Sequence, residues 1–170
     1  MIYRIYGQKD TTIYELNTRK SQNTGLDEVL EVSKLYDEAT QSTFVGNSRV
    51  LTKFDITAIS KSIVDGDIPS SPNFQLNLTS IGEEEVLSEY KLEVYPVSQS
   101  WSEGKGQFYD TPISSDGCSW ERREGTLLWN VGGTSVFNGN DVETTPKSGV
   151  VLYESFTNGS GSAHLTESIN

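Results

Sequence analysis

The sequence is poor in the residues from which reactive sites are made. It has one cysteine, Cys118, and one histidine, His164. No internal disulfide can form, and one Cys with one His cannot supply the usual ligand set of a zinc site. A lone cysteine reads as a small packed side chain rather than a nucleophile. His164 sits beside Leu165 in a Gly/Ser-rich stretch, which offers no frame for a Ser/His/Asp or Cys/His set. Long apolar runs are missing too. Nothing approaches the roughly 18 residues a membrane span needs, and the first residues show no basic stretch followed by an apolar one, so no signal peptide is expected. Positive charge is scarce. Thirteen Lys and Arg stand against 24 Asp and Glu, giving −11 and a pI near 4.5. Such a surface repels nucleic acid. A disulfide-stapled secreted scaffold is excluded, whereas an intracellular or phage-assembled protein is compatible.

What is present suits short strands and long polar loops. The 170 residues fit one domain. The apolar fraction, 34%, is below the globular average, yet 10% aromatic content is too high for a disordered chain. In Asn47–Thr57, Val50, Thr52, Phe54 and Ile56 fall on one side and Arg49, Leu51, Lys53 and Asp55 on the other, the pattern of a strand with one buried face. Phe74, Leu76 and Leu78 alternate with polar neighbours in the same way. Further strands are expected over 2–5, 11–14, 26–34, 90–97 and 150–156. Turns are expected over 7–10 and 65–72, polar connections over 19–25 and 37–47, and one helical turn or an irregular crossing over 57–64. Pro96 suits a strand end or an edge. Residues 98–149 are loop-rich and hold Trp101, Trp120 and Trp129. The fold class expected is all-β: an antiparallel β-sandwich of jelly-roll type with long polar loops. Its domain spans 1–156, with 157–170 a flexible tail or the start of a continuation.

Four pieces of this pattern carry a resemblance: Asn23-Thr-Gly25, Arg49-Val-Leu-Thr-Lys-Phe-Asp-Ile56, the strand from Phe74 to Leu78, and Val97-Ser-Gln-Ser-Trp-Ser-Glu-Gly104. Together, across roughly 10–156, the chain resembles the DNRLRE modules. These are jelly rolls close to carbohydrate-binding modules, in a form similar to structural proteins of tailed bacteriophages. The family continues with further Trp-containing and Asn-x-Gly-Phe strands where this chain reads Ser168-Ile-Asn170. The departure implies either a longer protein or strands supplied by a neighbour at an exposed sheet edge.

Candidate site residues follow from both lines. Trp101, Tyr109 and Trp120, with Phe108 and Trp129 nearby, are the aromatics that can stack on a sugar or anchor an interface, although Trp101 also reads as core because it ends an alternating strand. Glu103 beside Trp101 reads as a rim charge, and Glu83, Glu84 and Glu85 as a solvated loop, so no acid pair of a glycosidase stands out. Asp65, Asp67, Asp110 and Asp116 are the candidates for a structural calcium, without EF-hand spacing. Asn77-Leu-Thr79 and Asn158-Gly-Ser160 match the glycosylation pattern by chance. No enzyme and no cofactor is expected. The expected role, implied by the resemblance, is structural: a virion protein of a tailed phage, assembling with other virion proteins or with copies of itself, away from membrane and nucleic acid. The alternative is a carbohydrate-binding module attaching to polysaccharide.

Overall fold

The computed structural model describes residues 2–36, 43–70, 73–79, 89–94, 97, 99–129, 152–157 and 162–168. In chain order the elements are β1 (Gly7–Tyr14), β2 (Lys34–Tyr36), β3 (Phe44–Phe54), α1 (Thr57–Val64), β4 (Asn73–Thr79), β5 (Glu89–Val94), β6 (Arg122–Glu124), β7 (Leu127–Leu128), β8 (Leu152–Thr157) and β9 (Ser162–Ser168). Every strand pairing among the described residues is antiparallel. The fold is therefore strand-rich, with one short helix, and no described helix is long and apolar enough to cross a membrane. The chain forms two compact units: Met1–Ile56 with Val97–Thr144, and Thr57–Pro96 with Thr145–Asn170.

In the first unit the sheet runs β1-β3-β2. Thr11 lies opposite Leu51 and Ile13 opposite Arg49, while Thr12 faces Val50 and Tyr14 faces Ser48. Directly opposed residues share a face. Ile13 and Leu51 thus point together into a core completed by Trp101, Cys118, Trp120 and Trp129, with Val97 packed against it. Burial of each tryptophan, on the order of 200 Å² at roughly 25 cal/mol/Å², contributes about 5 kcal/mol before entropy is counted. Arg49 belongs to this face. Its guanidinium lies 5.3 Å from the centre of the Trp120 ring, so a charged position covers the core with its stem and ring contact.

Two expectations fail here. The core face of β3 is that of Leu51; Val50 and Phe54 are only half-buried, and Thr52 and Ile56 are exposed. Residues 7–10, expected as a turn, belong to β1. The Lys9 ammonium donates to the Trp101 carbonyl, and the Asp10 amide donates to Glu103 Oε1 at 2.8 Å, so the polar turn-formers are edge anchors.

The expected strand over 26–34 is also absent. Four consecutive residues of β1, Thr11 to Tyr14, are buried, so its second face is covered as well. Residues 31–33 cover part of it, tied down by hydroxyls instead of a strand ladder. Thr12 Oγ1 accepts from the Glu31 amide at 3.0 Å, and Ser48 Oγ donates to the Glu31 carbonyl at 2.7 Å. Ser48 Oγ also accepts from the Ser33 amide at 2.7 Å, and the Ser48 amide donates to the Ser33 carbonyl at 2.9 Å. Only residues 34–36 pair as β2, and β3 begins earlier than expected, at Phe44. The loop-rich stretch after Trp101 holds only the small β6–β7 hairpin among its described residues.

In the second unit, β4 pairs with β9 and β5 with β8. The strands β4, β5 and β8 overlap those expected over 74–78, 90–97 and 150–156. Part of the expected tail is a strand: Ser162–Ser168 pairs along the whole of β4, with His164 opposite Asn77. Helix α1 covers the stretch left open as helical turn or crossing, and ends in a Schellman cap. Gly66 at φ +82° donates to the Ile63 carbonyl, and Asp67 donates to the Ser62 carbonyl. The turn expected from Asp65-Gly-Asp67 is this cap. Residues 83–85, 95–96 and 158–161 lie outside the described residues.

Candidate functional site

Two motifs far apart in sequence meet in the first unit. Asn23 is fully buried. Its Nδ2 donates to the carbonyls of Glu103 at 2.6 Å and Cys118 at 2.8 Å, and its Oδ1 accepts from the amides of Gly106 at 2.8 Å and Gly25 at 3.2 Å. The side chain thereby uses its whole amide capacity. A Cβ on Gly25 would lie 2.2 Å from the Glu103 oxygen. Gly104 has φ +80°, and a Cβ there would meet Asn23 Oδ1 at 2.4 Å and the Asp116 carbonyl at 1.9 Å. Only glycine fits either place. Lys9 lies over the Trp101 ring, 4.2 Å from its centre. The Asn-x-Gly and Trp-x-Glu-Gly elements therefore form a structural knot that fastens the 101–118 loop to β1 and to residues 23–25.

That placement decides most of the candidates. Trp101 and Trp120 are buried, at 6% and 0% exposure, and neither ring is available to a sugar or a partner. Cys118 is wholly buried, and burial pushes its thiol up to about 12, which removes the thiolate a nucleophile needs. Glu103 is an anchor for β1. Asp65 pairs with Lys61 one turn back and Asp67 caps α1. Asp110 Oδ2 accepts from the Gln107 amide at 2.8 Å, while Asp116 is exposed. Among the described residues no group of three or more His, Cys, Asp or Glu is placed to hold a metal ion.

Tyr109 is different. It is 85% exposed and stands at an open groove of about 370 Å³ lined also by Tyr14, Asp27, Val29, Glu31 and Phe108. Three rings adjoin in space here: Tyr14 and Phe108 centres are 4.7 Å apart, and Phe108 and Tyr109 meet edge-on at 5.0 Å. The loop bearing Tyr109 is held from behind. The Gln22 amide donates to the Gln107 carbonyl at 2.8 Å, and the Phe108 amide donates to both Asp27 oxygens at 3.2 and 3.3 Å. Tyr14 donates from its hydroxyl to Glu31 Oε2 at 3.0 Å. Its phenol is held well above the ordinary range, first by burial and then by the Glu31 charge. Asp27 is also raised, by burial first and by the charges of Asp110 and Glu31, against the lowering effect of the Phe108 amide. Tyr109 and Phe108 were marked by the sequence as aromatics in a loop-rich stretch. Tyr14, Asp27, Glu28, Val29 and Glu31 were not marked, because the contacts joining them to Phe108 span about 80 residues or more.

No protein-family model, curated protein or solved structure matches this chain.

Proposed function

We propose that this chain is a structural protein of a tailed-bacteriophage particle, a β-sandwich of jelly-roll type that acts by protein–protein assembly and not by catalysis. One observation carries the reading. In the 26–33 segment the Glu31 and Ser33 backbone groups bond inward to Thr12 and Ser48, while Leu26, Val29, Leu30 and Val32 stand 55%, 50%, 36% and 58% exposed. Tyr36 and Phe44 of the outer β2/β3 pairing are half exposed too, in edge-on contact at 6.2 Å. Apolar groups turned outward along one segment are the makings of a surface that a partner covers. The meeting of Asn23-Thr-Gly25 with Trp101-Ser-Glu-Gly104 supports the jelly-roll assignment, because both motifs act there as fold-fixing elements.

The test is whether the chain is part of a particle. Antibodies against it are expected to label purified particles of the phage that encodes it, and Val32→Lys is expected to reduce its incorporation. Purified particles that lack the chain would overturn the proposal. The role uses no cofactor, so melting curves in calcium and in EDTA are expected to coincide; a calcium-dependent rise in Tm would instead put a cation among the loop carboxylates, Asp110 and Asp116 first.

Exposed Tyr109 beside Phe108, with carboxylates at hand, favours one second reading, a polysaccharide-binding module. Glycan arrays are its test, and a Tyr109→Ala variant that binds an array as the parent does would remove it.

A further inference from the structure

The groove beside Tyr109 has a chemical bias that the assembly role leaves open. Three carboxylates line it: Asp27, Glu28 and Glu31. Among the described residues none of the three forms an ion pair; their side-chain partners are the Phe108 amide for Asp27 and the Tyr14 hydroxyl for Glu31. Among the described residues no ion pair balances this negative charge. The same groove presents the rings of Phe108 and Tyr109, with buried Tyr14 packed against Phe108, and aromatic faces attract cations. Phe108 already shows this preference, since the Arg19 guanidinium lies 5.1 Å from its centre and Arg19 is not among the groove's lining residues.

A neutral sugar would satisfy the rings and leave the charges as they are. A cation on an apolar stem answers both features: the stem lies along Val29 and the rings, and the head meets the carboxylates. The geometry points to a basic segment of a partner protein as the occupant, with an arginine or lysine side chain seated between Tyr109 and the Asp27–Glu31 carboxylates. Charge complementarity selects this occupant over a second copy of the chain, which carries −11 itself. The wall is preorganised by the Gln22, Asp27 and Asp110 bonds to residues 107–110, so little ordering is lost on binding. The inference rests on the assembly reading and names the chemistry of its partner.

The experiment is an NMR titration of the full chain with a blocked peptide of alternating arginine and glycine. The control peptide carries citrulline in place of arginine. Saturable shifts are expected at the amides of Val29, Glu31 and Tyr109, with citrulline weakening binding about tenfold or more. Tyr109→Ala is expected to weaken it about two- to fivefold, and Glu28→Gln to weaken it as well; both side chains are exposed, so both variants fold. Shifts scattered over the acidic surface, or shifts indifferent to citrulline and to Tyr109→Ala, overturn the proposal. Localised shifts with a neutral oligosaccharide and none with the peptide overturn it in favour of a glycan. Either failure leaves the particle-labelling test untouched, and particles lacking the chain would remove the assembly role even if the peptide bound.

Discussion

Asn23 is the residue on which the first unit turns. Its side chain makes four hydrogen bonds at zero exposure, two donated and two accepted, and three of them go to residues 103, 106 and 118. Asn23→Ala leaves two carbonyls and two amides without that partner, and of these the Cys118 carbonyl and the Gly106 amide are buried. A loss of about 2–5 kcal/mol in chemical denaturation is expected. Gly125→Ala is the control. Gly125 also has a positive φ, +46°, but nothing lies within 4 Å of the added methyl, so only the left-handed backbone cost of about 1–2 kcal/mol applies. Asp10 gives the pH counterpart. Burial first, and the Glu103 charge second, raise its folded pKa. The ionised form therefore opposes folding. That penalty is fully present above the raised value and disappears below the ordinary aspartate value of about 3.9. Asp10→Asn is expected to raise Tm at pH 7, with a gain that shrinks as pH falls and vanishes near pH 3; a gain constant across that range would contradict the assignment.

At the scale of elements, the segment over residues 26–33 shows what holds structure without a ladder. Ser48 Oγ takes part in bonds with the Ser33 amide, the Ser33 hydroxyl and the Glu31 carbonyl. Ser48→Ala is expected to cost about 1–3 kcal/mol and to speed hydrogen exchange at Glu31 and Ser33 while the β1–β3 ladder stays protected; unchanged exchange at both amides would show that the hydroxyl does not anchor the segment. The same segment explains where the sequence misleads. Its alternation is that of a strand, but its apolar side faces out and its backbone is bound by hydroxyls from elsewhere. The period-2 signal locates a strand where the pairing is regular, as in β4, and the Asp65-Gly-Asp67 punctuation marks a real chain reversal. In β1 the signal vanishes because both faces are buried. In β3 it names the wrong face, because Arg49 covers Trp120 with a side chain that composition counts as polar. The Asn23 knot and the groove were out of reach for a different reason: their contacts join residues some 80 to 95 apart, and no local pattern encodes them. Of the marked aromatics, only Tyr109 stands exposed, since a loop-borne tryptophan and a loop-borne tyrosine look alike until the core is known.

Over the whole molecule the deciding quantity is charge. The chain carries −11 and also turns apolar side chains outward, two properties that act against each other between identical copies. Long-range repulsion resists the approach of a second copy, and salt screens it within a Debye length of about 10 Å at 0.1 M ionic strength. Apolar burial is not screened. Self-association through the Leu26–Val32 segment is therefore expected to strengthen as salt rises. Docking of a basic partner in the Tyr109 groove has the opposite dependence, because salt removes the attraction. Sedimentation equilibrium of the purified chain at 50 and 500 mM salt, beside the peptide titration at the same two concentrations, reads both signs. Stronger self-association and weaker peptide binding at 500 mM would mean that copies meet through apolar burial along the segment, whereas a basic partner is captured through charge. Self-association that weakened with salt would show that copies attract through charge, and would move the copy–copy contact away from the exposed apolar segment to the few basic side chains this sequence has.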